Sequence, residues 1–421
     1  MAFQNLKILQ EEAVDTGLLK IDAVAEDTNV PIPEATVSIS YSGDPTSTIE
    51  QLTTDNNGQT EALTLPAPPL EYSMEAERPQ PYSEYTITIS APGYDDLQAS
   101  GVEVLPLVTA LYHARLKPRT APAAESFFVI GPHTLYGDYP PKIAESEIKP
   151  LAETGEIVLS RVVVPETVIV HDGPPTDRSA RNYYVPYKDY IKNVASSEIY
   201  ATWPDASIRA NVLAIMSFTL NRVFTEWYRN KGYDFTITSS TAFDHKWIPG
   251  RNYFDTISLI VDELFANYLS RPNVRQPILT QYCDGQRVVC PDWMSQWGSK
   301  SLGDQGFSAI DILRYYYGDN MYINTAEQIS GIPSSWPGYD LTVGASGQKV
   351  LQMQEELNTI SDAYSSIPKL SEDGIFGPAT AAAVRQFQSV FGLPATGIVD
   401  YPTWYKISEI YVGVSRIAEL V

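Results

Sequence analysis

YKDYIKNVASSEIYATWPDASIRANVLAIMSFTLNRVFTEWYRNK, from Tyr187 to Lys231, reads as two helices hinged at Trp203-Pro204. In the first, Tyr187, Ile191, Val194 and Ala195 recur at the three-and-four spacing of a buried helical stripe. Glu198 falls on the same stripe, three residues after Ala195. A carboxylate on the apolar side of a helix is costly to ionise, so burial raises its pKa and leaves a proton for transfer near neutral pH. A buried Glu paired with an Arg is the alternative, and periodicity alone does not separate the two. The second helix carries Ile208, Val212, Ile215, Met216, Leu220, Val223, Phe224 and Trp227 on one face, which suits the central helix of a domain.

Outward from this stretch, 421 residues are too many for one ordinary domain, and two or three are expected. Hydrophobic content of 43% with 11% aromatics fits packed domains rather than a disordered chain. A formal charge of -22 excludes nucleic acid as a natural partner and disfavours docking on anionic lipid. A glycan held by stacking and hydrogen bonds remains compatible. The N-terminus, MAFQNLKILQEEAVDTG, has no basic stretch followed by an apolar run, and no apolar run elsewhere spans a bilayer. Neither a secretory signal nor a membrane partner is therefore expected. Cys283 and Cys290 flank a turn-like DGQR; a disulfide and two reduced thiols both fit, and the thiols are preferred because no export signal is read.

Three units follow in order, giving a multidomain α+β chain. Residues 1–119 hold β-rich segments, LLKIDAVAE, ATVSISYS, TEALTLPA, SEYTITISA and GVEVLPLVTALYHARL, parted by TDNNGQ and APGYDD. Their spacing suggests a β-sandwich, with His113 a strand residue. KPRTAPAAESFF is an exposed linker open to proteases. Residues 120–325 form an α+β unit around the two helices, with a further helix expected from Asp255 to Leu269. Beyond SGIPSSWPGYD, residues 338–421 read as three short helices joined by DGIFGP and GLPATGIVD.

Each unit resembles a known family. The order of strands and turns in the first is similar to the carboxypeptidase regulatory-like domain. ASSEIYATWPDASIRANVLAIMSFTLNR and MSQWGSKSLGDQGFSAIDILRYYYGD resemble the two motifs of the stage II sporulation protein D (SpoIID) family, lytic transglycosylases of peptidoglycan whose essential carboxylate matches Glu198. The third unit resembles the type 1 peptidoglycan-binding domain, which points to Asp373, Phe376, Gly377 and Gln388. Taken together the order resembles that of the clostridial spore cortex-lytic enzymes. That resemblance implies cleavage of the MurNAc-GlcNAc bond in spore cortex peptidoglycan, location in the spore envelope, and an N-terminal pro-domain covering the groove around Glu198. Removal by a subtilisin-like protease, between about Lys117 and Pro150 and nearer Phe127, would activate the enzyme.

For the chemistry, a lytic transglycosylase needs one carboxyl where hydrolytic glycosidases generally need two. Glu198 would serve as acid and then base; Asp205, Asp244 and Asp284 are candidates for a second, although Asp205 directly after Pro204 suits a helix start. Tyr200, Asp244, His245, Lys246, Arg251, Tyr282, Asp284, Gln286, Ser295 and Gln296 are expected to bind substrate. His245 stands where SpoIID proteins hold zinc, but DHKWIPG has no Cys, so no metal and no cofactor are expected. A non-catalytic wall-binding protein that enhances an amidase is the competing reading. An amidase itself would need a zinc site that the sequence lacks.

Overall fold

The computed structural model describes residues 15–119, 126–149, 159–333 and 335–415. Strand alternation builds the first unit. In β1 (Asp15–Ala25), Leu19, Ile21, Ala23 and Ala25 point inward while Lys20, Asp22 and Val24 do not. β2 (Thr36–Tyr41), β3 (Asp44–Thr53), β4 (Leu63–Ala67), the short helix α1 (Glu71–Met74), β5 (Ser83–Ser90), β6 (Leu97–Val104), β7 (Thr109–Leu116) and β8 (Ser126–Val129) follow. Two sheets result, one in the order β3-β2-β5-β6-β8, the other β4-β1-β7 with a fourth strand contributed from far along the chain. β3 escaped the sequence reading because its side chains are nearly all exposed, which removes the apolar alternation. The run GVEVLPLVTALYHARL divides into β6 and β7 at a turn where Leu107 takes φ 64°. His113 lies in β7 against Asp22, 2.6 Å away.

In the central unit, β9 (Thr167–His171) pairs antiparallel with β10 (Asn182–Pro186) and parallel with β11 (Ile237–Thr238). α2 (Tyr187–Glu198) and α3 (Asp205–Phe224) stand where the sequence places them, with Pro186 and Pro204 before their first residues. α3 ends three residues short of Trp227. It is buried almost all round, Arg222 included, as befits a helix packed by α2, α4 (Asp255–Leu264), α5 (Gln296–Asp304) and α6 (Ala309–Tyr317). The helix expected through Leu269 stops at Leu264, because Asn267–Ser270 leaves to pair with Tyr322–Thr325.

The third unit is the expected trio, α7 (Gln348–Ala363), α8 (Pro378–Val390) and α9 (Tyr401–Ser415), around Met353, Leu357, Phe376, Phe387 and Trp404. Pro378 opens α8, where its missing N–H is harmless.

The units interlock. β12 (Tyr253–Phe254) of the central unit pairs antiparallel with β7, and β8 pairs parallel with β6, so residues 126–129 belong to the N-terminal sheets. Arg251 meets Glu103 in a fully buried ion pair, and Asn252 exchanges hydrogen bonds with the Glu103 backbone. The Trp203 indole N–H donates to Ser73 O at 2.9 Å. On the other side Lys188, Lys192 and Lys406 surround the buried Asp262, with Glu409 beside them. Burial alone would raise the Asp262 carboxyl; the three lysines override this and hold it well below the usual carboxylate range. Among the described residues no helix is long and apolar enough to cross a membrane.

Candidate functional site

Glu198 is the last residue of α2, where the helix breaks into the extended Ile199. Its side chain is buried, with the residue 2% exposed. One carboxylate oxygen accepts the Lys246 backbone N–H at 2.6 Å, and the other accepts the Tyr282 hydroxyl. Gln296, the first residue of α5, donates from Nε2 to the Glu198 carbonyl at 3.0 Å. Burial pushes the Glu198 carboxyl up from its ordinary range; the charge of Lys142, the Lys246 N–H and the Tyr282 hydroxyl pull in the other direction without cancelling it.

Around the carboxyl, His245 stacks on Tyr282 with ring centroids 5.8 Å apart and planes 11° from parallel. Its Nδ1 is 3.0 Å from the Tyr190 hydroxyl. Burial, then the charges of Lys142 and Arg222, hold its pKa well below the usual imidazole value, so it is neutral. Lys142 Nζ lies 4.8 Å from the centroid of the Tyr282 ring and donates to the Asp244 carbonyl. Burial lowers its pKa, opposed by Glu198 and Asp244.

Other residues singled out in the sequence have different places. Asp244 is a structural anchor: Arg222 Nε reaches it at 2.7 Å, and its second oxygen accepts from the Tyr228 hydroxyl, the Thr238 N–H and the Thr238 hydroxyl at 2.6–2.9 Å. Asp205 pairs with Arg209 on the surface of α3. Asp284 closes a turn, accepting the Gln286 and Val288 N–H groups at 3.2 and 2.9 Å, and Gln286 is exposed on that turn. None of the three supplies a second carboxylate beside Glu198. Arg251 faces Glu103 in a buried ion pair rather than a groove, and its Nη2 donates to Gly131 O at 2.7 Å. Ser295 caps α5 by accepting the Gly298 N–H at 2.9 Å. Tyr200 is buried between His133 and Trp203. Lys246 contributes its backbone to Glu198, while its Nζ sits 5.4 Å from the centroid of the Tyr139 ring.

Sequence reasoning missed the segment 130–149. It lies beside Glu198: the Thr134 N–H donates to Ser197 O at 2.9 Å, His133 Nε2 is 3.2 Å from Ile199 O, and Lys142 lies over the Tyr282 ring. Glu145 and Glu147 tie it down through Arg222 and Arg271 at 2.6 Å each. Its extended backbone carries no periodic signal, so nothing in the sequence flagged it. The N-terminal β-unit touches the Trp203 turn and Arg251, while Lys142 of this later segment lies over the Tyr282 ring and its charge acts on the carboxyl. Of the expected cleavage range from Lys117 to Pro150, residues 120–125 and 150 fall outside the described residues.

Cys283 and Cys290 form a disulfide, against the preference for thiols; the turn around Asp284 brings their Cα atoms to 5.6 Å. Among the described residues no group of three or more His, Cys, Asp or Glu side chains could hold a metal ion.

In the C-terminal unit, Phe376 is fully buried in the core. Gln388 is also inside, its amide donating to Ile398 O at 2.9 Å and accepting the Gly397 N–H at 2.8 Å. Asp373 orders the turn before α8 by accepting the Ile375 N–H at 2.9 Å, and Gly377 stands before the first residue of that helix. Phe376, Gln388 and Asp373 thus make contacts inside the fold of this unit.

Residues 346–407 match the family model described as putative peptidoglycan binding domain. The zinc D-Ala-D-Ala carboxypeptidase of Streptomyces albus G is 41% identical over 76 residues, 18% of this chain and 28% of the relative. An uncharacterized protein in the bpoA1 3' region of Kitasatospora aureofaciens is 42% identical over 64 residues, 15% of this chain and 49% of that protein. The chain thus spans less than half the length of these curated relatives. A solved structure, the SleB N-terminal domain, is 30% identical, covering 18% of this chain and 99% of its own, with a TM-score of 0.16. The chain thus carries a domain of the putative peptidoglycan binding type at residues 346–407.

Proposed function

We propose that the chain is a lytic transglycosylase of spore cortex peptidoglycan, made as a zymogen, with Glu198 as its acid and base. The observation that carries this is the buried Glu198 carboxyl, raised by burial and held by the Lys246 N–H and the Tyr282 hydroxyl, with Asp205, Asp244 and Asp284 committed to other partners. Glu198 in its protonated form donates to the glycosidic oxygen between MurNAc and GlcNAc, and the C1–O bond breaks. The carboxylate so formed then takes the proton of the muramoyl C6 hydroxyl, whose oxygen bonds to C1 and closes a 1,6-anhydro ring. No water is added, so a second carboxylate to activate one is not required. Tyr282 and the Lys246 N–H hold the carboxyl oriented and stabilise its charged form between the two steps. The C-terminal domain raises the local concentration of glycan.

What supports the zymogen reading is that segment 130–149 packs beside Glu198, with Lys142 over the Tyr282 ring and bonded to the Asp244 carbonyl. A protease of the subtilisin type is the proposed activator. The test is mass analysis of muropeptides released from isolated cortex by protein cut between Lys117 and Pro150. Anhydro-muramoyl ends are expected, and Glu198→Gln should lower their release by about 10²–10⁴-fold. Binding to cortex without such ends would favour the non-catalytic enhancer of an amidase.

A further inference from the structure

The loop closed by the Cys283–Cys290 disulfide has no part in the chemistry above, yet it adjoins the residues that hold Glu198. Tyr282, which donates to the carboxyl, is bonded directly to Cys283. The two residues form a short strand parallel to Met294–Ser295, and Gln296, next along, holds the Glu198 carbonyl. Between the cysteines, Asp284 accepts the Val288 N–H at 2.9 Å, and Arg287 Nη2 donates to Thr134 O at 2.7 Å. Arg287 Nη1 donates to the Tyr136 and Gly137 carbonyls of the covering segment. Gly285 takes φ +78°, and a Cβ there would overlap the Ser295 hydroxyl, so the loop packs tightly on the start of α5.

We propose that the Cys283–Cys290 disulfide is a redox-sensitive positioning element, which holds the Tyr282 hydroxyl on Glu198 when oxidised and releases it when reduced. The proposal rests on the catalytic reading of Glu198. Cys283 is buried and Cys290 half-buried, so a small thiol reductant reaches the Cys290 sulfur first. Attack by its thiolate breaks the S–S bond and forms a mixed disulfide; a second thiol resolves it. Two thiols remain on the protein, the reductant leaves as its own disulfide, and two electrons and two protons are transferred. The strand bearing Tyr282 then loses its covalent tie to residue 290. Because the Tyr282 hydroxyl stabilises the charged carboxyl, its loss raises the Glu198 pKa further.

The test compares oxidised and dithiothreitol-reduced protein, cut between Lys117 and Pro150, in the wild type, Cys283→Ser/Cys290→Ser and Tyr282→Phe. Reduction of the wild type should lower anhydro-muropeptide release by about tenfold, the scale of one hydrogen bond to a charged group, and move the alkaline limb of the pH–rate profile upward. The double Ser variant should behave like the reduced wild type in both buffers. Tyr282→Phe should be slow already and change less than about twofold on reduction, since the two perturbations act through one contact. Unchanged turnover after release of two thiols per chain, or an equal effect of reduction in Tyr282→Phe, would overturn the proposal. Hydrogen exchange of the Lys246 amide in uncut protein provides a readout independent of turnover: reduction should speed it, and unchanged exchange counts against the clasp. If no anhydro ends appear in any state but exchange responds, the clasp stands and the catalytic reading fails.

Discussion

Glu198 pairs a helix terminus with a buried carboxyl, and the consequence is a charge the fold does not welcome. Its folded pKa is raised, so between the ordinary value of 4.5 and the folded value the native state binds more protons than the unfolded one. Stability contributed by this group therefore falls as pH rises through that window. Glu198→Gln removes the titration while keeping the shape. Relative to wild type, the variant should gain thermal stability between about pH 4 and about pH 8, read as a more positive Tm difference at the higher pH. A difference that shrinks with pH would mean that the carboxylate is stabilised in the fold. Activity should show the same group, declining as pH passes above the raised pKa, because only the protonated form can act as the acid.

At the level of elements, the pocket depends on how closely α5 approaches α3. Ser207, fully buried in the first turns of α3, donates to Ser299 O at 2.9 Å, and Asn211 Nδ2 reaches the Ser299 hydroxyl at 2.8 Å. Gly303 makes this possible: a Cβ there would overlap the Ser207 hydroxyl and stand 3.2 Å from Pro204 Cβ. Gly303→Ala ought to gain about 1 kcal/mol of helix propensity. The overlap should outweigh that, for a net loss of about 1–2 kcal/mol. Urea denaturation measures it, and a stabilised variant would show that α5 can shift without cost. Since α5 also carries Gln296 against Glu198, a shift should weaken turnover along with stability.

Across the whole molecule, the N-terminal β-unit is joined to the rest by packed contacts as well as by the chain. β12 completes the β4-β1-β7 sheet, the Arg251–Glu103 pair is buried on both sides, and Trp203 is bonded to Ser73. The C-terminal unit also meets the first, through Gln59 Nε2 on Val390 O at 2.8 Å and Asn29 Nδ2 on Gly413 O at 3.2 Å. Separating a buried ion pair leaves each charge unpaired in a poor solvent, a penalty of about 3–5 kcal/mol. A single cut between Lys117 and Pro150 should therefore leave the two fragments together: one peak in native size exclusion, two bands once denatured. Two native peaks would mean that the tether alone held the pro-unit. Under the zymogen reading proposed above, activation would then be a local event at segment 130–149, more than the loss of a whole domain.

What the sequence determined by itself is local. The 3.6-residue period marked α2 and α3, the turn residues of DGIFGP and GLPATGIVD parted the three C-terminal helices, and the stripe through Ala195 put Glu198 inside. Such features are written in residues a few positions apart, where side-chain direction follows from backbone geometry. Tertiary structure decided whatever joins distant positions. Tyr282 reaches Glu198 across 84 residues, Asn252 bonds the Glu103 backbone across 149, and Lys142 arrives on an extended segment without period. It also reassigned residues whose type suggested a ligand: Arg251, Asp244 and Gln388 are polar groups buried where an unpaired charge or amide would be costly, so each is turned toward a partner inside the fold. Residue type and spacing carry no record of those partners, because the pairing is set by which surfaces the packed elements bring together.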